Sequence, residues 1–383
     1  MVESAVDGIM EYIIGRKRKP FFIIITLFLV LVMMLKLWGE DWSVESPITL
    51  EEEPAEMWLA AKRVAEEDNS PVVADLHNEY AIPAKQVINI DGPVYNNALP
   101  NPYVTARNLT DYGKSIMAFM HNPKSGGTTL KDCLLRLTRE LQLERPLLVT
   151  PGNREETQRN IFNGIINPDK YNFMMGGASL GICESFSSRK CSYFTIVREP
   201  YDRMISHYFF CKDGGESSIP CENKSIEEFT LTAGSIFFAQ LALGVTCHCD
   251  NNCDDISKQP WHCVYDYPSY YKNIEHKDEF LQFLIQHLDS YFAVIGLTEE
   301  YDTTLTILQS TFGVPFHNSC SGVQSNAGKY GSKGTTNSDE RKLEAKRRML
   351  ASEAVRRTLY PDVMLYERAK QIFQMQKDKL HLT

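Results

Sequence analysis

The sequence predicts an α/β domain with a central, mainly parallel sheet flanked by helices, a P-loop-like anion loop, and one transmembrane helix ahead of it. Three observations carry this. Short continuous apolar runs are followed by amphipathic helical stretches three times along the chain, the alternation of a parallel sheet covered by helices. One of those junctions is "HNPKSGGTTL" at residues 121–130. Near the amino terminus, the basic cluster "RKRKP" is followed by the apolar run "FFIIITLFLVLVMML".

Taken in order, residues 1–19 read as a cytosolic tail and residues 20–38 as a signal-anchor helix. At about 1.5 Å per residue the apolar stretch is long enough for a thin bilayer. The basic cluster on its amino-terminal side places the tail in the cytosol and everything after the span in the lumen. A cleaved signal peptide would have a shorter apolar core and a small-residue exit, and "MLKLWGED" offers neither. Residues 39–110 read as a lumenal stem and linker, because residues 40–79 carry 12 acids and only 2 bases, with scope for a short helix in "AEMWLAAKRVAEE". The rest of the chain is near neutral, which speaks neither for nor against a polyanionic partner, and nothing in it points to nucleic acid. All ten cysteines follow the span, and an even number in an oxidising lumen favours disulfides. Asn108-Leu-Thr and Asn223-Lys-Ser are glycosylation sequons on the lumenal side.

Residues 111–383 read as the folded domain. "SIMAFM" (115–120) is a buried-strand candidate running into the anion loop. In "TTLKDCLLRLTREL", Leu130, Cys133, Leu134, Leu137 and Leu141 recur at helical spacing. Lys124 stands before Gly126 and Gly127, whereas a Walker-type loop has its lysine after the glycines. The glycines admit a close approach of backbone to ligand, and the free N–H groups at the helix start favour an anion. "YNFMMGG" reads as a further strand. "YFTIV" is another, with Arg198 at its exit and Pro200 at the first helical position; Met204, Ile205, Tyr208 and Phe209 then mark an apolar face, with Ser206 off it. In "YFAVIGLTEEYDTTLTILQSTFG", Thr298 is the expected helix cap, Tyr301, Leu305, Leu308 and Phe312 the buried stripe, and Gly313 the stop. Ligands of such sheets bind at the carboxyl ends of the strands, where Lys124 and Arg198 both fall.

"PKSGGTTL" after one strand and "VREPYDRMIS" after a later one together resemble the two nucleotide-binding signatures of sulfotransferases. The likeness is greatest to the membrane-bound carbohydrate O-sulfotransferases of the heparan sulfate 2-O- and 6-O-type. It continues through "GLTEEYDTTLTILQSTFG" and "YPDVMLYERAKQIF", so that it spans roughly residues 115–373. The resemblance implies a type II Golgi membrane enzyme that transfers a sulfonate from 3′-phosphoadenosine-5′-phosphosulfate (PAPS) to a hydroxyl of a glycan such as a glycosaminoglycan, without a metal. It implies that Lys124, Ser125, Gly126, Gly127, Thr128 and Thr129 hold the 5′-phosphosulfate, with Lys124 also stabilising the charge that develops. Arg198 and Ser206 would hold the 3′-phosphate, and Lys329 and Lys333 of the Gly/Ser-rich "SNAGKYGSKGTT" would close over the phosphates.

One departure stands out. The 2-O- and 6-O-enzymes commonly have a glycine-histidine pair after the middle strand, the histidine acting as general base; aligned on "GGASLG", the corresponding position here is Gly177. Glu184 and His121 are the remaining candidates for the base, and His207 has an equally good structural reading. "CHCDNNC…WHC" matches no standard zinc spacing, so residues 211–263 are expected to form a disulfide-stapled, cysteine-rich insert that shapes the acceptor cleft. The rival readings are a Golgi glycosyltransferase, which would usually carry a DxD motif absent here, a protein-tyrosine sulfotransferase, and a non-catalytic nucleotide- or glycan-binding relative, suggested by Gly177.

Overall fold

The structure, a computed structural model, describes Tyr95 and residues 97–185, 189–215, 217–246, 267–274, 277–322 and 338–382. These all belong to the second of the chain's two units, Lys85–Thr383. The expected tail, membrane helix and most of the stem lie outside the described residues, as do Lys329, Lys333, Cys247, Cys249, Cys253 and Cys263.

Five strands form one sheet in the order β2-β3-β1-β4-β5. They are β1 (Ile116–Met120), β2 (Leu147–Leu148), β3 (Phe173–Gly176), β4 (Cys191–Val197) and β5 (Val294–Leu297). Every described pairing is parallel, with Met117 opposite Phe173 on one side and Ser192 on the other. The four longer strands are buried at every residue. That is why their sequences run apolar without alternation: both faces are covered.

The helices do the covering. α1 (Gly127–Glu140) follows β1 and buries Leu130, Cys133, Leu134 and Leu137 as the spacing predicts; Leu141, expected on the same stripe, is the C-cap and is 40% exposed. α2 (Arg154–Phe162) precedes β3. α3 (Pro200–Lys212) follows β4, with Pro200 at its start and the Glu199 carboxylate accepting the Asp202 N–H at 2.7 Å as its cap. α4 (Ile226–Ala233) and α5 (Ile236–Thr246) come next, then α6 (Tyr267–Asn273) and α7 (Lys277–Tyr291). α8 (Tyr301–Phe312) follows β5, α9 (Phe316–Cys320) follows α8, and α10 (Ser338–Ala351) and α11 (Glu353–Leu380) end the domain.

Several expectations need correction. Thr298 does not cap α8. Its N–H and hydroxyl both donate to the Val197 carbonyl, at 2.9 and 3.0 Å, so it prolongs the β5 ladder and Glu300 becomes the capping residue. The domain begins before residue 111: Leu99 is buried, its N–H donates to Cys191 O at 2.7 Å, and Ala98 bridges Cys191 in parallel. Much of the proposed cysteine-rich insert is core, since Phe237, Phe238, Leu241 and Ala242 of α5 pack into the main hydrophobic cluster. The stretch Ile226–Val245 is long and apolar enough to cross a membrane, yet 83% of it is buried within the domain. Gly234 (φ +68°) breaks it into α4 and α5.

Disulfides join Cys133 to Cys320, Cys183 to Cys191 and Cys211 to Cys221. A buried ion pair, Arg203 to Asp362 at 2.8 Å, ties α3 to α11. Asp362 also accepts the Phe237 and Phe238 N–H groups at the start of α5.

The connection from β1 leads through α1 to β2 on one side of the sheet, and the connection from β4 leads to β5 on the other. β1 and β4 are neighbours. Their carboxyl ends therefore flank a topological switch point, where departing loops leave a crevice for a ligand.

Candidate active site

After β1 the chain turns through two left-handed residues, Lys124 (φ +66°) and Gly126 (φ +76°). For a lysine this conformation carries about 1–2 kcal/mol of strain, of the kind that loops built around a ligand retain. The turn is closed by Ser125 N–H donating to Asn122 O at 3.3 Å and Leu130 N–H to Gly126 O at 3.2 Å. Gly126 is the N-cap of α1 and no side chain caps it. The N–H groups of Gly127, Thr128 and Thr129 thus stay open in the first turn, concentrated with the helix dipole on one spot. Gly127 is required sterically: a Cβ there would lie 1.9 Å from Cδ2 of His121.

The second loop leans on the first. Nη1 of Arg198 donates to the Lys124 carbonyl at 3.4 Å. The acids beside Arg198 are occupied elsewhere, since Lys346 of α10 binds Asp202 at 3.0 Å and Glu199 at 3.3 Å. Among the described residues neither Lys124 nor Arg198 has a carboxylate partner, so both charges remain available. The cost appears in Lys124, whose ammonium burial, and then the Arg198 charge, push down to about 8. Its Nζ sits 3.8 Å from the centroid of the Phe210 ring.

Buried polar atoms that have no partner among the described residues line the loop: Asn122 Oδ1, Ser125 Oγ and the Tyr301 hydroxyl. Tyr301, the first residue of α8, places its ring 3.4 Å from where a Gly126 Cβ would be. Burial raises its phenol above the usual range, so it is a donor and not an anion. Two hydroxyl donors, three open N–H groups and two uncompensated cations fit a ligand with several anionic oxygens.

A family model described as the sulfotransferase family matches residues 108–374. The chain belongs to the sulfotransferase family. No curated protein matches it. Sulfotransferases move a sulfonate group to an acceptor, and the family generally draws that group from PAPS. The donors and cations of the loop suit the phosphates and sulfonate of such a nucleotide.

The fold brings together Lys124, Ser125, Gly126, Gly127, Thr128, Thr129 and Arg198 at the carboxyl ends of β1 and β4. Ser206 follows two turns into α3, half-buried. His121 is also at this edge, its N–H donating to Gly176 O at 3.0 Å and its ring packed on Gly127. Burial first, then Lys131 and Lys124, hold its imidazole down to about 4, so it is neutral at physiological pH. His207 lies in α3 with Nε2 3.1 Å from Ser217 Oγ and edge-on to Phe229. Burial, Arg203 and Lys124 push it to about 3.

Glu184 is not where the sequence suggested. Its carboxylate accepts the Asn97 N–H at 3.2 and 3.3 Å, beside the Cys183–Cys191 disulfide at the amino end of β4. Arg198 leaves the other end of that strand, roughly 20 Å away at about 3.3 Å per residue. The strand before Glu184 ends at the site, but the intervening segment, buried through Leu180 and Ile182, carries Glu184 to the amino end of β4. At Gly177, the position of the missing histidine, the neighbours are Gln240 and Tyr267: a Cβ would meet Gln240 Nε2 at 3.4 Å and the Tyr267 hydroxyl at 3.5 Å. Gln240 Nε2 donates to His121 O at 3.1 Å and Gly177 O at 3.3 Å, and Tyr267 donates to Gly177 O at 2.7 Å.

Sequence reasoning missed Asn122, Phe210, Gln240, Tyr267 and Tyr301. Tyr301 was within reach, since it begins the helix after a parallel strand, the same rule that found Lys124 and Arg198. Phe210, Gln240 and Tyr267 arrive from helices whose packing leaves no local sequence signal.

Proposed function

We propose that this sulfotransferase takes the sulfonate of PAPS and transfers it to a hydroxyl of a glycan in the Golgi lumen, anchored there as a single-pass type II membrane protein. The observation that carries the nucleotide part is the meeting of the Lys124 and Arg198 loops at the β1/β4 switch point, with both cations uncompensated. PAPS supplies a sulfonate bonded to a phosphate that can leave. The open N–H groups of residues 127–129, with the Ser125 and Thr128 hydroxyls, bind the 5′-phosphate, and Arg198 with Ser206 binds the 3′-phosphate through charge-assisted bonds. Lys124 balances negative charge as the sulfur–oxygen bond to the phosphate breaks and the one to the acceptor forms. Such transfers depend chiefly on positioning and electrostatics. The acceptor hydroxyl gives up its proton. Of the two candidate bases only His121 stands at this edge, and as a neutral imidazole it has a lone pair to receive it.

The lumenal placing is supported by the paired cysteines, by two sequons whose asparagines, Asn108 and Asn223, are exposed, and by the basic-then-apolar amino terminus. The glycan acceptor is supported by the resemblance to carbohydrate sulfotransferases. The deciding experiment is incubation of secreted residues 40–383 with labelled PAPS, a panel of glycans and a tyrosine peptide. Label on a glycan upholds the reading; label on the peptide alone makes this a tyrosine-directed enzyme. Nucleotide binding without transfer to any acceptor would make Gly177 the mark of a silent relative. If the secreted form still requires detergent, the topology is wrong.

A further inference from the structure

We propose that Phe210 is a positioning residue for Lys124: its ring face holds the ammonium at the anion loop, and the loop closed by the Cys211–Cys221 disulfide holds the ring. The inference rests on the nucleotide-binding reading above. Lys124 Nζ lies 3.8 Å from the Phe210 centroid, well inside the range of a cation–π contact. A lysine side chain is long and freely rotating, and without a partner its charge would be spread over many positions. A carboxylate partner would fix it but would cancel its charge and compete with the incoming anion. An aromatic face fixes the cation and leaves the charge available.

The ring in turn has a backing. Phe210 is the residue before Cys211, and the disulfide to Cys221 closes a short loop that contains Gly215. Gly215 N–H donates to Phe210 O at 2.9 Å. Its Cα lies against the ring, so that a Cβ there would fall 2.5 Å from Phe210 Cζ. Gly215 has no left-handed backbone conformation, and alanine at this position would displace the ring and not the main chain. Among the described residues, the other charged or titratable groups facing Lys124 are Arg198, from the loop after β4, and the imidazoles of His121 and His207, which Lys124 helps to keep neutral.

The test uses the full-length chain in detergent and 3′-phosphoadenosine 5′-phosphate as probe, titrated calorimetrically from pH 6.5 to 10, so no acceptor is needed. Affinity of the wild type should fall on the alkaline side as Lys124 loses its proton, and Lys124→Arg should remove that fall. Removing the ring face destabilises the charged ammonium. Phe210→Leu should therefore move the alkaline fall about half a pH unit or more toward acid, a roughly threefold or greater change in the lysine's proton affinity. Phe210→Trp, which keeps a π face, should leave the fall in place. Gly215→Ala should behave as Phe210→Leu does, and it carries the test alone if the leucine variant does not fold. An alkaline fall unmoved in Gly215→Ala and Phe210→Leu, or moved equally by tryptophan, overturns the proposal while leaving nucleotide binding intact. A wild type that binds no nucleotide at any pH sinks the underlying reading, and this inference with it.

Discussion

The guanidinium of Arg198 donates to the main-chain oxygen of Lys124 at 3.4 Å, so the loops leaving two neighbouring parallel strands touch before any ligand is considered. Their side chains nonetheless have different work. On the proposed reading, Lys124 would sit where charge develops as the sulfur–oxygen bond breaks, so its contacts would strengthen in the transition state and act on turnover. Arg198 would grip a phosphate remote from the reacting atom. Losing a charge-assisted contact costs roughly 1.5–3 kcal/mol, a tenfold to hundredfold effect. Lys124→Ala should bind 3′-phosphoadenosine 5′-phosphate as the wild type does once Lys124 has lost its proton, a partial loss of affinity, while transfer collapses. Arg198→Ala should lose that affinity. Calorimetry beside a transfer assay on the folded variants separates the two, and equal loss of binding in both would refute the division.

The pH dependence follows from the Lys124 ammonium, held down to about 8 by burial and by Arg198. On the proposed reading the protonated form is the active one, so activity should be present below this value and be lost as pH rises through it. Because kcat/KM reports the free enzyme, kcat/KM for PAPS should fall above about pH 8. A bound anion favours the ammonium and raises its pKa, so the fall in kcat should come at higher pH. In Lys124→Arg, any residual activity should show neither fall. An unchanged alkaline limb in that variant would assign it to another group.

Gly127 tests the loop without touching a charge. Its hydrogen faces the His121 ring, and a methyl group would overlap ring atoms of a residue whose main chain the Gly176 and Gln240 hydrogen bonds hold. Overpacking of this sort costs about 1–3 kcal/mol. Gly127→Ala should lower thermal stability by that amount and weaken nucleotide binding at least tenfold, because the N–H groups of the first turn shift with it. Unaltered binding would show that the helix start is not part of the site.

How much of this was legible beforehand depended on how local the signal was. β1, β4 and β5 were readable because strands buried on both faces are continuous apolar runs. The anion loop and Arg198 were readable because they lie at strand ends. What failed depended on the path of the chain between elements. Glu184 follows a recognisable strand, yet its position is set by the Cys183–Cys191 bridge and the Asn97 amide, neither visible from residue 184. Thr298 has the chemistry of a cap, but Val197 on the neighbouring strand takes both its donors. The α4–α5 stretch looked like part of an insert because its apolar residues belong to a core that only the tertiary fold assembles.

The disulfides differ in what they enclose. Cys133–Cys320 spans 187 residues, whereas Cys183–Cys191 spans 8 and Cys211–Cys221 spans 10. On chain-entropy grounds the long closure should stabilise by about 5 kcal/mol and the short ones by about 2.5 kcal/mol. Thermal unfolding of the double serine variants should rank them in that order, and non-reducing mass spectrometry should find the three linked peptide pairs. Free, alkylatable thiols at Cys133 and Cys320 in secreted protein would contradict both the pairing and the lumenal setting.

Arg203 belongs to the same "REPYDR" segment as Arg198 but is buried, and it should behave as structure and not as site. It donates to Asp362 at 2.8 Å with both side chains 1% exposed, while Asp362 accepts two further N–H groups from the start of α5. Removing one member of such a pair strands the other charge in the core, at about 3–5 kcal/mol. Asp362→Ala should therefore unfold much of the protein at physiological temperature, and Arg203→Met should be nearly as severe. Replacing both, as Arg203→Met with Asp362→Leu, removes the stranded charge and should recover most of the stability, though two N–H groups of α5 are left without their acceptor. In a double-mutant cycle the coupling should be large and favourable. The rescued double variant should bind nucleotide as the wild type does, because neither side chain contacts the anion loop. Recovered folding with binding lost would mean that Arg203 acts at the site as well as beneath it.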